Sequence, residues 1–295
     1  MQLVTYRKNS REHIGAQLPD TNEIIKFLDS EVPYEDMLRF IQAGDEALAL
    51  AQQIIARGEN KISLDDVELL APIPRPLRNV FCVGKNYRAH LQEVSLLTGS
   101  TQNKENTIPE EPIFFTKATQ SVIGPDAPIP SYLDVTNSVD YEGELAVIIG
   151  KAGRGISRED AMQHVFGFTI LNDVTSRRLQ KKHQQWFLGK SLDGFCPMGP
   201  AILTADSVAD VAQLSITTRV NGEIRQQGSL SDLIFDIPTL IYTLSQYMTL
   251  LPGDVIATGT PAGVGMGFKP PKYLKAGDIV SISINGIGEL ENPVE

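Results

Sequence analysis

Asp140-Tyr141-Glu142-Gly143-Glu144-Leu145-Ala146-Val147-Ile148-Ile149-Gly150 is the stretch from which both fold and chemistry are read. A β-branched run closed by glycine predicts a buried strand. Alternation along a strand places Glu142 and Glu144 on one side, their Cα atoms roughly 6.5 Å apart. The same side goes on to carry Ala146 and Ile148, so both acids enter an otherwise apolar face. Like charges there repel each other and lose hydration, and a bound cation removes both costs. Carboxylates suit hard, oxygen-seeking ions such as Mg²⁺, Mn²⁺ or Ca²⁺. Taken alone, a Glu-x-Glu pair is more often a solvated strand face.

A third acid shifts that balance. Asp173 ends a second apolar run, Phe166-Gly167-Phe168-Thr169-Ile170-Leu171-Asn172-Asp173, and an acid closing a strand is placed to reach a ligand. Two Glu on one strand and one Asp closing another would form a facial set of three carboxylates. Such a set leaves the opposite coordination positions open, as a catalytic metal requires.

The totals limit the classes to consider. The chain has 295 residues, 42% of them hydrophobic, which predicts a folded protein of one large and one small domain. A net charge of −10 disfavours nucleic acid or an anionic membrane as partner. Cys82 and Cys196 stand far apart in no metal-ligand spacing, as expected of free thiols in a reducing cytoplasm. No signal-peptide pattern opens the chain, and no apolar run approaches the roughly 20 residues of a membrane helix.

Residues 1–70 are expected to form a small α/β domain. Strands Leu3–Arg7 and His13–Leu18 precede helices at Thr21–Leu28, Tyr34–Gln42 and Asp45–Ala56, the last closed by Gly58. The alternate prolines of Ala71-Pro72-Ile73-Pro74-Arg75-Pro76 predict an extended linker over 71–78. Residues 79–295 read as a β-rich domain in which short strands follow at close spacing. Within it, Lys85 to Glu111 reads as a lid: a helix over Tyr87–Leu97 and then a long polar loop. Ser157 with Asp160 predicts a helix start, Asn221-Gly222 a hairpin turn, and Asp236-Ile237-Pro238 a helix with Leu240, Ile241, Leu244 and Met248 on its apolar face.

Familiar nucleotide and hydrolase motifs fail. Gly189-Lys190-Ser191 lacks the leading glycine of a phosphate loop, since position 184 is Gln. The glycines of Gly259–Gly267 do not fit dinucleotide spacing, and no Gly-x-Ser-x-Gly elbow occurs. What remains suits the acids. His90 and Glu93 stand at i, i+3, so on a helix the carboxylate can orient the imidazole as a base. A solvated helix with a chance pair is the local alternative. Lys190, framed by apolar and small residues, could supply positive charge to a carboxylate or a developing enolate. The turn Thr258-Gly259-Thr260-Pro261-Ala262-Gly263-Val264-Gly265 could cradle an oxyanion, or serve structure alone.

Four motifs in order, Tyr141-Glu142-Gly143-Glu144-Leu145, Asn172-Asp173-Val174-Thr175, Gly189-Lys190-Ser191-Leu192-Asp193 and the Thr258–Gly265 turn, resemble the fumarylacetoacetate hydrolase family over roughly residues 72–295. The resemblance implies an α+β, β-rich fold with a β-roll catalytic domain, and a homodimer. It implies Mg²⁺ or Mn²⁺ on Glu142, Glu144 and Asp173, and a His90–Glu93 dyad on a lid. It implies Lys190 beside the reaction, with Arg177, Gln180, Lys117 and Thr260 as substrate contacts. Many relatives carry an acid directly after the arginine, where this chain has Arg178. The N-terminal unit and long lid resemble the subgroup that decarboxylates oxaloacetate more than the acylpyruvate-cleaving one. A 2-oxo acid chelating the ion through C1 carboxylate and C2 carbonyl would leave an enolate when C3–C4 breaks. Decarboxylation of oxaloacetate ranks first on this reading, acylpyruvate hydrolysis second, and isomerisation or hydration of unsaturated dicarboxylic 2-oxo acids third. A catalytically silent binding or scaffold protein of the same fold is the non-enzymatic alternative.

Overall fold

The computed structural model describes residues 1–19, 21–28, 31–98 and 108–295. One large sheet dominates. From edge to edge its strands run Lys61–Ser63, Glu23–Lys26, Arg11–Gln17, Gln2–Lys8, Cys196–Thr204, Val165–Asn172, Gly143–Ile149, Val255–Ala257, Val80–Gly84 and Ile113–Lys117. A second sheet orders Glu223–Ser229, Ser215–Val220, Ile279–Ile284 and Gly288–Pro293. This is the β-rich α+β architecture expected from the sequence.

The central strand obeys the alternation. Leu145, Val147 and Ile149 pack with Ile216, Ile282 and the Ile237–Tyr247 helix, which begins at an Asp236 cap. Ala146 and Ile148 face the other way, into a layer with Phe40, Ala47, Ala51, Phe166 and Met198. Glu142 and Glu144 share the parity of that second layer and stand at its end.

The N-terminal segment joins this sheet directly, because Gln2 and Leu3 pair with Leu203 and Ile202. The proline-rich stretch lies against it: Ala71 and Ile73 are buried, and the Thr5 hydroxyl donates to the Pro72 carbonyl at 2.7 Å.

Two helix expectations are corrected. Thr21–Leu28 is not a helix; Glu23–Lys26 is a strand held between Arg11–Gln17 and Lys61–Ser63. Ile24 and Ile25 each bury a β-branched side chain, on opposite faces, and two waiting strand edges override local propensity. Ser157–His164 forms only a short 3₁₀ turn, Ala161–His164, although the Ser157 and Asp160 side chains do bond at 2.9 Å. The Arg88–Thr98 helix matches expectation, whereas part of the proposed lid, 99–107, lies outside the described residues. Asn221 and Gly222 take positive φ angles of 52° and 78°, as the tight hairpin demands.

Candidate active site

The three acids meet. Glu142, Glu144 and Asp173 each offer an oxygen within 4.8 Å of the others, and all three are buried. Backbone bonds hold their strands in place: Asp173 N–H donates to the Glu142 carbonyl at 2.8 Å, and Glu142 N–H to Asn172 Oδ1 at 3.0 Å. Between the two glutamates, Gly143 N–H donates to Gln226 Oε1 at 3.0 Å. A Cβ on Gly143 would lie 2.3 Å from Thr218 Oγ1, so the close approach of the second sheet needs glycine here.

Three cations surround them. Lys190 Nζ donates to Glu142 Oε2 at 2.7 Å and to Asp173 Oδ2 at 2.6 Å. Lys117 Nζ donates to Asp173 Oδ1 at 2.7 Å and to the Val174 carbonyl at 3.0 Å. Arg177 reaches Glu142 Oε1 at 2.6 Å and Asp140 Oδ2 at 2.8 Å, with Gln180 Oε1 at 3.5 Å. Burial would raise the Glu142 carboxyl, but Lys190, Arg177 and His90 outweigh it and hold that group below the usual range. Burial would likewise neutralise Lys190, but Asp173 and Glu142 raise it.

Glu144 differs. Its Oε2 accepts the Gly259 N–H at 2.7 Å, and no salt bridge reaches it among the described residues. Burial, with Asp173 and Glu142 alongside, raises its carboxyl well above the normal value. Four buried carboxylates (Asp140, Glu142, Glu144 and Asp173) thus face three buried cations (Lys117, Lys190 and Arg177). An all-oxygen donor set fits a hard divalent ion, which on binding would take the place of the proton that burial favours on Glu144.

The dyad forms as well. His90 Nδ1 lies 3.2 Å from Glu93 Oε2, and Glu93 Oε1 accepts the Gly263 N–H at 3.0 Å. The helix is thereby docked on the Gly259–Gly267 loop. Gly267 permits the approach, since a Cβ there would sit 2.1 Å from Glu93 Oε1. The Thr260 hydroxyl donates to the Gly143 carbonyl at 2.9 Å and accepts from Gln226 Nε2 at 2.7 Å. Phe115 closes one side, its ring 4.9 Å from Lys190 Nζ and edge-on to Trp186. Behind the acids, both thiols are sealed in the apolar layer, and burial pushes Cys196 up to about 12 and Cys82 well above its normal value.

Sequence reasoning missed four residues that organise this centre: Asp140, Asn172, Gln226 and Asn86. Asn86 bonds both the Thr258 carbonyl (2.7 Å) and the Phe235 backbone, clipping the turn to the start of the Arg88–Thr98 helix. An asparagine just before a predicted helix was the one available signal.

A family model described as fumarylacetoacetate (FAA) hydrolase C-terminal matches residues 79–295. The chain belongs to the fumarylacetoacetate hydrolase family. Oxaloacetate tautomerase YisK of Bacillus subtilis (strain 168) is 48% identical over 277 residues, covering 91% of this chain and 89% of that protein. The solved fumarylacetoacetate hydrolase from psychrophilic Exiguobacterium antarcticum aligns with TM-score 0.84 and 44% identity, covering 100% of this chain and 99% of its own. Maleylpyruvate hydrolase from Sphingobium sp. SYK-6, in complex with manganese(II) and pyruvate, aligns with TM-score 0.79 and 33% identity, covering 100% and 98%. The fumarylacetoacetate hydrolase family is one of enzymes, and this member keeps a buried acidic triad that could hold a metal ion. No helix among the described residues is long and apolar enough to cross a membrane.

Proposed function

We propose that this protein is a divalent-metal-dependent enzyme of small 2-oxo dicarboxylic acids that interconverts the keto and enol forms of oxaloacetate. The observation that carries the reading is the His90–Glu93 dyad docked beside three convergent carboxylates and three cations. The 48% identity to an oxaloacetate tautomerase supports it.

Glu142, Glu144 and Asp173 would hold Mg²⁺ or Mn²⁺, which when bound supplies Lewis-acid polarisation of a 2-oxo carbonyl. The rest falls to the chain. Glu93 accepts the Nδ1 proton of His90, which fixes the tautomer and leaves Nε2 as the basic nitrogen. His90 takes a proton from C3 of the keto form and returns one to the C2 oxygen, so the isomerisation balances without a further reactant. Lys190 and Arg177 keep positive charge beside the oxygen on which negative charge grows. Burial of His90 and Lys190 limits the water that would compete for those charges.

Cleavage of the C3–C4 bond, ranked first on sequence as decarboxylation, uses the same electron flow and is the second reading. The likeness to a maleylpyruvate hydrolase holding manganese and pyruvate favours it.

Loss of enol absorbance from oxaloacetate, followed with Mn²⁺ and with chelator, tests the proposal while NMR identifies the product. Tautomer exchange without net pyruvate is expected, and His90→Ala should slow it by roughly 10²- to 10⁴-fold. Stoichiometric pyruvate and CO₂ would establish the second reading. Turnover indifferent to chelator would refute both.

A further inference from the structure

Asp140 is fully buried and opens the Glu-x-Glu stretch, yet no step described above uses it. Its oxygens are saturated. Oδ2 accepts Arg177 Nε–H at 2.8 Å and Met266 N–H at 3.0 Å, while Oδ1 accepts Gly265 N–H at 2.6 Å and Tyr141 N–H at 3.0 Å. Gly265 belongs to the arrangement, because a Cβ there would lie 2.5 Å from Asp140 Oδ1.

Arg177 is the group so held. Its Nη1 pairs with Glu142 Oε1 at 2.6 Å, and its Nη2 is buried with no hydrogen-bond partner. A buried guanidinium N–H without an acceptor is costly and calls for an explanation. A guanidinium is a rigid planar fork. With Nε pinned by Asp140 and Nη1 by Glu142, the plane is set and Nη2 is presented in one direction. The same carboxylate fastens Gly265 and Met266 in the loop whose Gly263 N–H docks Glu93. Arginine, loop and dyad therefore share one frame.

We infer that Asp140 is a positioning residue that holds Arg177 so that its Nη2 meets the carboxylate of the 2-oxo acid; this rests on the function proposed above. The proposal separates two jobs within one cluster. Glu142, Glu144 and Asp173 serve the ion, whereas Asp140 serves substrate recognition without touching substrate.

Calorimetric titration of pyruvate into the Mn²⁺-loaded protein, beside Mn²⁺ affinity measured separately by electron paramagnetic resonance, tests this. Asp140→Asn should weaken pyruvate binding roughly tenfold or more while moving the Mn²⁺ Kd by less than about threefold. Arg177→Lys should show the same split, and the double variant should lose no more than either single one, because both remove one unit. A merely structural aspartate would weaken both ligands together, or would add its loss to that of Arg177→Lys; either result overturns the inference. So does pyruvate binding in Asp140→Asn equal to wild type. Should Asp140→Asn fail to fold, Asp140→Glu keeps the charge, shifts the carboxylate by one methylene, and must show the same split. A wild-type protein that binds Mn²⁺ but no pyruvate overturns the proposed function and this inference with it.

Discussion

Lys190 stands on the oxygens that a divalent ion would claim. Its Nζ bonds Glu142 Oε2 and Asp173 Oδ2, so ammonium and ion compete for two of the three acids. Lys190→Met should leave Mn²⁺ binding as tight or tighter by electron paramagnetic resonance, while kcat/KM on oxaloacetate falls roughly 10²-fold. Weaker Mn²⁺ binding would mean that the lysine supports the acids and does not compete. Lys117 behaves differently, being tied also to the Val174 carbonyl and so fixed behind Asp173 as a permanent counter-charge. Arg178, next in the chain, points away from this contest; it is exposed, and its Nη1 donates to the Thr136 carbonyl at 2.9 Å.

The segment leading into the Glu-x-Glu strand is ordered by one acid. Asp134 accepts the Thr136 N–H and hydroxyl at 2.9 and 2.5 Å and the Ser138 N–H and hydroxyl at 2.8 and 3.0 Å. Burial would raise its carboxyl, but those bonds outweigh burial and hold it below its ordinary 3.8. The unfolded chain therefore binds this proton more readily than the folded one. Its stabilisation is present above the normal pKa and fades as pH falls through the lowered value. Asp134→Asn should cost about 1 kcal/mol at pH 7 in urea melts, a gap that closes on acidification; a gap independent of pH would refute the assignment. How much of each element was legible follows from its periodicity. Two-residue alternation put Glu142 and Glu144 on one side, and their carboxylate oxygens come within 4.8 Å; three-residue spacing paired His90 with Glu93, 3.2 Å apart. The strand at Glu23–Lys26 escaped because its pairing edges lie elsewhere in the chain. Asp140, Gln226 and Asn86 escaped for a related reason. Each bridges distant positions, 140 to 265, 226 to 143 and 86 to 258, and a single side chain leaves no period to detect.

For the whole molecule, an ion at the acidic cluster would tie together two neighbouring strands in the middle of the large sheet. Glu144 lies in the Gly143–Ile149 strand with Glu142 just before it, Asp173 directly follows the neighbouring Val165–Asn172 strand, and Gly259 N–H of the Gly259–Gly267 loop bonds Glu144. Binding should therefore read out as global stability. Mn²⁺ at a hundredfold excess over its Kd should add about 2.7 kcal/mol, seen as a melting shift of several degrees by scanning calorimetry and absent in Glu144→Gln. An unchanged melting temperature would count against the site. The sealed thiols beneath the acids carry a consequence for life in a cell where zinc and copper outbid magnesium for most ligands. Cys82 and Cys196 are buried in an apolar bed that raises both thiols, and neither joins the set of donor atoms that Glu142, Glu144 and Asp173 bring together. The donor atoms that converge here are therefore all oxygen, the ligand type that suits hard ions rather than soft ones.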